Sequence, residues 1–139
     1  MDINVIDASN YFKGLLLLIR KDRQISEPET ELMERIGKAL GFEKEFCENA
    51  VRDIIENAFI EDIPPEFSTE ELAMKFIRDG LTLANVYGGI HLLEEAWLRS
   101  TAQKNSLDLN WFLQEKEKTK NTRNLHIHLE VDDLRVIYS

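Results

Sequence analysis

The sequence predicts a mainly α-helical, compact bundle of five to six or more helices, built on a duplicated helix-turn-helix and finished by a small β-hairpin or sheet at the C-terminus. Three observations carry this reading. Apolar residues recur at three- and four-residue spacing along most of the chain. Ser26 with Glu29, and Ser68 with Glu71, are S-x-x-E capping boxes that open two of these stretches. From Leu125 the period drops to two: Leu125, Ile127, Leu129 and Val131 face one way, His126, His128 and Glu130 the other.

Met1 to Ile6 alternates polar and apolar residues and reads as a short strand that needs a partner. From a cap at Ser9 or Asn10, YFKGLLLLIRK is apolar on nearly all sides, which predicts a helix running through the middle of the bundle. Arg20 and Lys21 suit the negative pole of its dipole. The second helix opens at Ser26 with Pro28 in its first turn. It buries Leu32, Met33, Ile36, Ala39 and Leu40, turns Glu31, Glu34, Arg35 and Lys38 to water, and stops at Gly41. In the third, Phe46, Cys47, Ala50, Val51, Ile54, Ile55 and Ala58 form a stripe opposite Glu45, Glu48, Arg52, Asp53 and Glu56.

Asn57 to Phe67 is irregular, broken by Pro64 and Pro65. The Ser68 box then starts a fourth helix with Leu72, Ala73, Phe76, Ile77, Leu81 and Ala84 inward, ended by Gly88 and Gly89. A fifth places Leu92, Leu93, Ala96 and Trp97 inward and Glu94, Glu95 and Arg99 outward. After a turn at Asn105 to Asp108, Leu109, Trp111, Phe112 and Leu113 begin a sixth helix that dissolves into the charged run Glu115 to Arg123, a solvated connector. Asp132 and Asp133 turn the chain so that Leu134 to Tyr138 returns as the second strand of a hairpin, with Met1 to Ile6 as a candidate neighbour. So small a sheet must cover its apolar face, which makes a homodimer through the C-terminal strands an expectation.

Composition bounds the function. A chain of 139 residues, 43% hydrophobic, supports one core and one domain over 1–139. A net charge of −9 repels a phosphate backbone and an anionic membrane surface, so no nucleic-acid partner is expected. The single cysteine, Cys47, makes no internal disulfide and sits on an apolar stripe, where it reads as a small buried residue rather than a reactive thiol. No basic-then-apolar leader opens the chain, and Gly14 to Ile19 is far shorter than the ~20 residues of a spanning helix. The expectation is a cytoplasmic protein without direct membrane insertion.

Sliding the chain on itself by about 65 residues sets Leu18 against Leu83, Ile25 against Ile90 and Glu29 against Glu94. Both copies read as an apolar helix, a tight turn, one Ile, and a helix with Glu near its start. This pattern resembles the TerB-like family, the helical domain named for bacterial tellurite resistance, whose repeats carry D-G-x-I-x-x-x-E between apolar helices. Asp22, Arg23, Gln24, Ile25 and Glu29 form the first copy; Tyr87, Gly88, Gly89, Ile90 and Glu94 form the second. Arg23 stands where the motif has glycine, and Tyr87 where it has aspartate. The match spans roughly 11–107 as a helical core and leaves 108–139 as an extension. The resemblance implies divalent metal binding by acidic residues of the turns, and links to stress responses and membrane-associated complexes.

Two metal readings stand beside structural ones. Asp22 and Glu29, with carbonyl or side-chain oxygens of Gln24 and Ser26, fall short of the six to eight that calcium takes unless water or the other turn, with Glu94, completes a calcium or magnesium site. Glu29 also has a sufficient task as a cap. His126 and His128, two apart on a strand, project to one face and can offer zinc two ligands, with Glu130 or His91 as a third; a solvent-facing polar row gives the same pattern. No serine elbow, phosphate-cradling glycine loop or zinc-protease motif is present. The reading is a non-enzymatic interaction module for a partner protein, with at most weak metal binding; the alternative is a metal-dependent enzyme using the His126 and His128 pair with carboxylates.

Overall fold

The side chain of Asn4 accepts the Asp7 amide at 2.7 Å and starts α1 (Val5–Arg20), so the helix begins before the expected cap at Ser9 or Asn10 and takes in Val5 and Ile6. The computed structural model describes residues 1–21, 25–57, 59–86, 89–120 and 127–138. After α1 come α2 (Glu27–Ala39), α3 (Lys44–Glu56), α4 (Glu70–Asn85), α5 (Leu92–Lys104) and α6 (Leu109–Lys120). Two short strands, β1 (Asp2–Asn4) and β2 (Arg135–Ile137), pair in parallel with Ile3 opposite Val136.

The core forms around α1, which touches α2, α3, α4 and α5. Leu15 to Ile19 are all buried, as their unbroken apolar run predicts. Tyr11 meets Phe76 of α4 edge-on at 5.3 Å, and Phe67 packs against both. A Cβ on Gly37 would stand 2.2 Å from Cys47 Sγ, so only glycine lets α2 and α3 approach this closely. Cys47 is buried there, as expected.

The duplication extends to three helices per copy. Shifted by 65 positions, α1 superposes its bounds on α4, α2 on α5, and the start of α3 on that of α6. The details keep the same offset. Asn4 caps α1 as Thr69 caps α4, and Ser26 caps α2 as His91 caps α5. Leu18 and Leu83 are both fully buried, and Ile25 and Ile90 both lean on the core. The sixth helix is thus the counterpart of α3, whereas Glu130–Asp133 and β2 fall at this offset opposite irregular residues 65–68 and the start of α4.

Several expectations are corrected. The C-terminal hairpin is absent among the described residues: of the expected strand 125–131, residues 127–129 form no ladder, and Glu130–Asp133 is a 3-10 turn. The reason is Asp79 of α4, whose carboxylate accepts the Glu130 and Val131 amides at 2.6 and 3.0 Å and so withdraws them from strand pairing. The sheet partner of β2 is β1 instead, with the Arg135 amide on the Met1 carbonyl at 2.9 Å. Ser68 does not cap α4, because its hydroxyl and amide both go to the buried Asp7; Thr69 takes the cap, accepting the Leu72 amide at 3.1 Å. In α5 the inward face is Glu94, Trp97, Leu98, Thr101 and Ala102, while Leu92, Leu93 and Ala96 face out. Phe46 and Ile55 are also exposed, and α6 runs on through Glu115 to Lys120, held to α5 by Lys116 on Glu95 at 2.8 Å. Ala58 and Gly88 lie outside the described residues.

Candidate functional site

Of the sequence-predicted metal residues, Asp22 and His126 lie outside the described residues. Glu29 is buried at the third position of α2, where Oε1 accepts the Ser26 amide at 2.9 Å and the Ser26 hydroxyl at 2.8 Å. Glu94 is its counterpart in α5, buried, with Oε1 on the His91 amide at 3.0 Å. His91 completes that cap by accepting the Leu93 amide on Nδ1 at 3.1 Å. Each glutamate is turned back on its own helix N-terminus, where its charge meets the positive pole of the dipole. The cap therefore already occupies one oxygen of each, which limits what either turn can give a cation.

The structure assembles a different constellation, centred on Asp79. This residue is 1% exposed and accepts three hydrogen bonds: the Tyr11 hydroxyl at 2.6 Å and the two amides of the 3-10 turn. Burial pushes its carboxyl up to about 6 against the pull of these donors, and burial beside Asp79 drives the Tyr11 hydroxyl well above its ordinary value. The pair ties α1, α4 and the C-terminal segment together at one point.

Beside Asp79, a cleft of about 430 Å³ opens between α4, α6 and residues 127–130. Its charges are set against one another. Glu130 takes Lys75 on Oε2 at 3.2 Å, with Arg78 3.8 Å from Oε1. Arg78 also reaches Glu115 at 3.5 Å and lies over the Trp111 ring at 5.5 Å. His128, the one member of the predicted histidine pair within the described residues, is exposed at the edge of this cleft with Nε2 4.0 Å from Glu130 Oε1. Asp133 joins them: the three donor atoms lie within 4.8 Å of one another.

The first copy differs at the equivalent positions. In it the connector after α3 packs over the equivalent groove along α1. Arg20 donates to the Ile60 carbonyl at 3.1 Å, Lys21 pairs with Asp62, and Pro65 lies against Gly14. Leu17 and Ile54 are buried beneath. At the same offset the second copy has Thr82 for Leu17, Thr119 for Ile54, Glu115 for Ala50 and Asp79 for Gly14, and the groove stands open as the cleft. The one sequence signal for Asp79 is an acidic residue at helical spacing from Leu72 and Phe76, which sets it on the inward face of α4.

No protein-family model matches the chain, and neither a curated protein nor a solved structure does.

Proposed function

We propose that this chain is a non-catalytic interaction module that docks a partner protein through the outer face of α5. The observation that carries the reading is the first turn of α5, where Leu92 is 79% and Leu93 54% exposed, with Ala96 exposed one turn on. Large aliphatic side chains grouped on one helix face in water favour a protein contact. The acidic balance of the chain selects a partner of basic or neutral surface over nucleic acid. Among the described residues no helix is long and apolar enough to cross a membrane.

The TerB-like character, with the stress-response role it implies, rests on the two turn motifs and the duplicated helix-turn-helix. Metal binding at the Asp22 and Glu29 turn is weak in this reading, at the low-affinity end of calcium sites, about 10⁻⁴ to 10⁻³ M, because the cap draws on the Glu29 carboxylate. Cytoplasmic location and a dimer through β2, next to which Tyr138 is largely exposed, belong to the same proposal.

The test is co-purification from the native cell, comparing wild type with Leu92→Glu/Leu93→Glu. The proposal expects a defined partner that the double variant loses while its melting temperature is unchanged. A partner set indifferent to the variant, or turnover by wild type in a broad hydrolase screen, contradicts it.

A further inference from the structure

Three side chains of the C-terminal segment converge at one point. His128, Glu130 and Asp133 bring an imidazole nitrogen and two carboxylate oxygens within 4.8 Å of one another. At the same offset of 65 the first copy has Ile63, Pro65 and Ser68, an irregular stretch with neither imidazole nor carboxylate at these positions. Pro65 packs against Gly14 of α1, whereas Glu130 and His128 line the open polar cleft.

We propose that His128, Glu130 and Asp133 bind a zinc-class divalent cation at the edge of the cleft between α4 and α6. An imidazole with two carboxylates is a donor set zinc accepts, and a three-ligand site leaves a position for water or a small ligand. Calcium, which asks for six to eight oxygens, is poorly served. Zinc ligands stand about 2.0 to 2.2 Å from the metal, so closing the present spacing takes side-chain rotation of His128 and Asp133, both exposed.

The backbone beneath them is already fixed. The Asp79 carboxylate holds the Glu130 and Val131 amides, and the Met1 ammonium donates to the Asp133 carbonyl at 2.9 Å. Lys75 holds Glu130 Oε2 at 3.2 Å and leaves Oε1 toward His128, the way outer partners orient a metal-binding carboxylate. Arg78 opposes a cation at Oε1, but it lies 3.8 Å away and is drawn to Glu115 at 3.5 Å and to the Trp111 face. This assignment replaces the His126 and His128 pair with a set reaching forward along the chain, and it is independent of the α5 docking face.

The experiment uses the full chain, freed of any affinity tag and of metal, titrated with zinc against a chromophoric chelator of micromolar affinity. One zinc per chain is expected, weakened by at least about tenfold in His128→Ala and in Asp133→Asn, with calcium in excess failing to displace it. Both variants sit at exposed positions, and circular dichroism of each verifies that the fold is kept. Absence of stoichiometric zinc in wild type overturns the site. So does binding that survives His128→Ala, or binding lost in His126→Ala and kept in Asp133→Asn.

Discussion

Gly41 and Ser106 stand 65 positions apart and close α2 and α5 with the same hydrogen bonds. Gly41 has φ +85° and Ser106 φ +60°; the Phe42 amide reaches the Gly37 carbonyl at 2.8 Å, and the Leu107 amide reaches that of Ala102 at 2.9 Å. This left-handed stop suits glycine and strains serine. Ser106→Gly should therefore stabilise the fold by about 0.5–1 kcal/mol, while Gly41→Ala, whose new Cβ would meet the Tyr138 hydroxyl at 3.0 Å, should cost about 1 kcal/mol or more. Urea denaturation of both variants reads the opposite signs.

The Asp79 carboxyl is raised from 3.8 to about 6, so the native state binds its proton more tightly than the unfolded chain does. The stability this group contributes is fully present below pH 3.8 and is lost as pH rises through about 6, a swing of up to about 3 kcal/mol. Asp79→Asn should abolish that slope. It should also cost about 1–3 kcal/mol, because its amide group can replace only one of the two oxygens that the Glu130 and Val131 amides need. Denaturation curves of wild type and variant from pH 4 to pH 8 make the comparison.

Tyr11→Phe removes the only side-chain donor to Asp79 among the described residues. A buried hydrogen bond to a charged acceptor is worth about 1.5–3 kcal/mol, and that loss is expected at pH 7, where Asp79 is ionised. The Asp79 carboxyl should titrate higher still, which carboxyl carbon shifts of the variant would show. An unchanged midpoint would deny the coupling.

Ile36 is fully buried in α2, and Ile36→Ala should cost about 2–5 kcal/mol by thermal or urea melting. Leu92→Ala, an equal truncation on the outer face of α5, should change stability by less than about 0.5 kcal/mol.

The residues that were legible in the sequence act through their neighbours in the chain. Ser26 and Glu29 form the expected reciprocal cap, and Met33, Ile36 and Leu40 are buried at their periodic positions. The offset of about 65 was visible in Leu18, Ile25 and Glu29 and extends in the structure to every helix start. The features that were not legible depend on partners far along the chain. Ser68 looks like a cap until Asp7, 61 residues away, takes its hydroxyl. Residues 127–131 look like a strand until Asp79 claims two of their amides. In α5 the cap draws Glu94 inward, and this rotates Leu92 and Leu93 out of the face that their hydrophobicity alone assigns. The His128, Glu130 and Asp133 group was half visible, since periodicity put His128 and Glu130 on one side, but Asp133 reaches them only because the segment is a 3-10 turn.

The most direct measurement of the docking role places a photo-crosslinking residue at Leu92 and, in a second protein, at Glu117, an exposed position on α6. Illuminated in the native cell, the Leu92 probe should yield one dominant covalent adduct with a single partner protein, absent from the Glu117 probe. Equal adducts from both positions, or none from Leu92, would contradict the account.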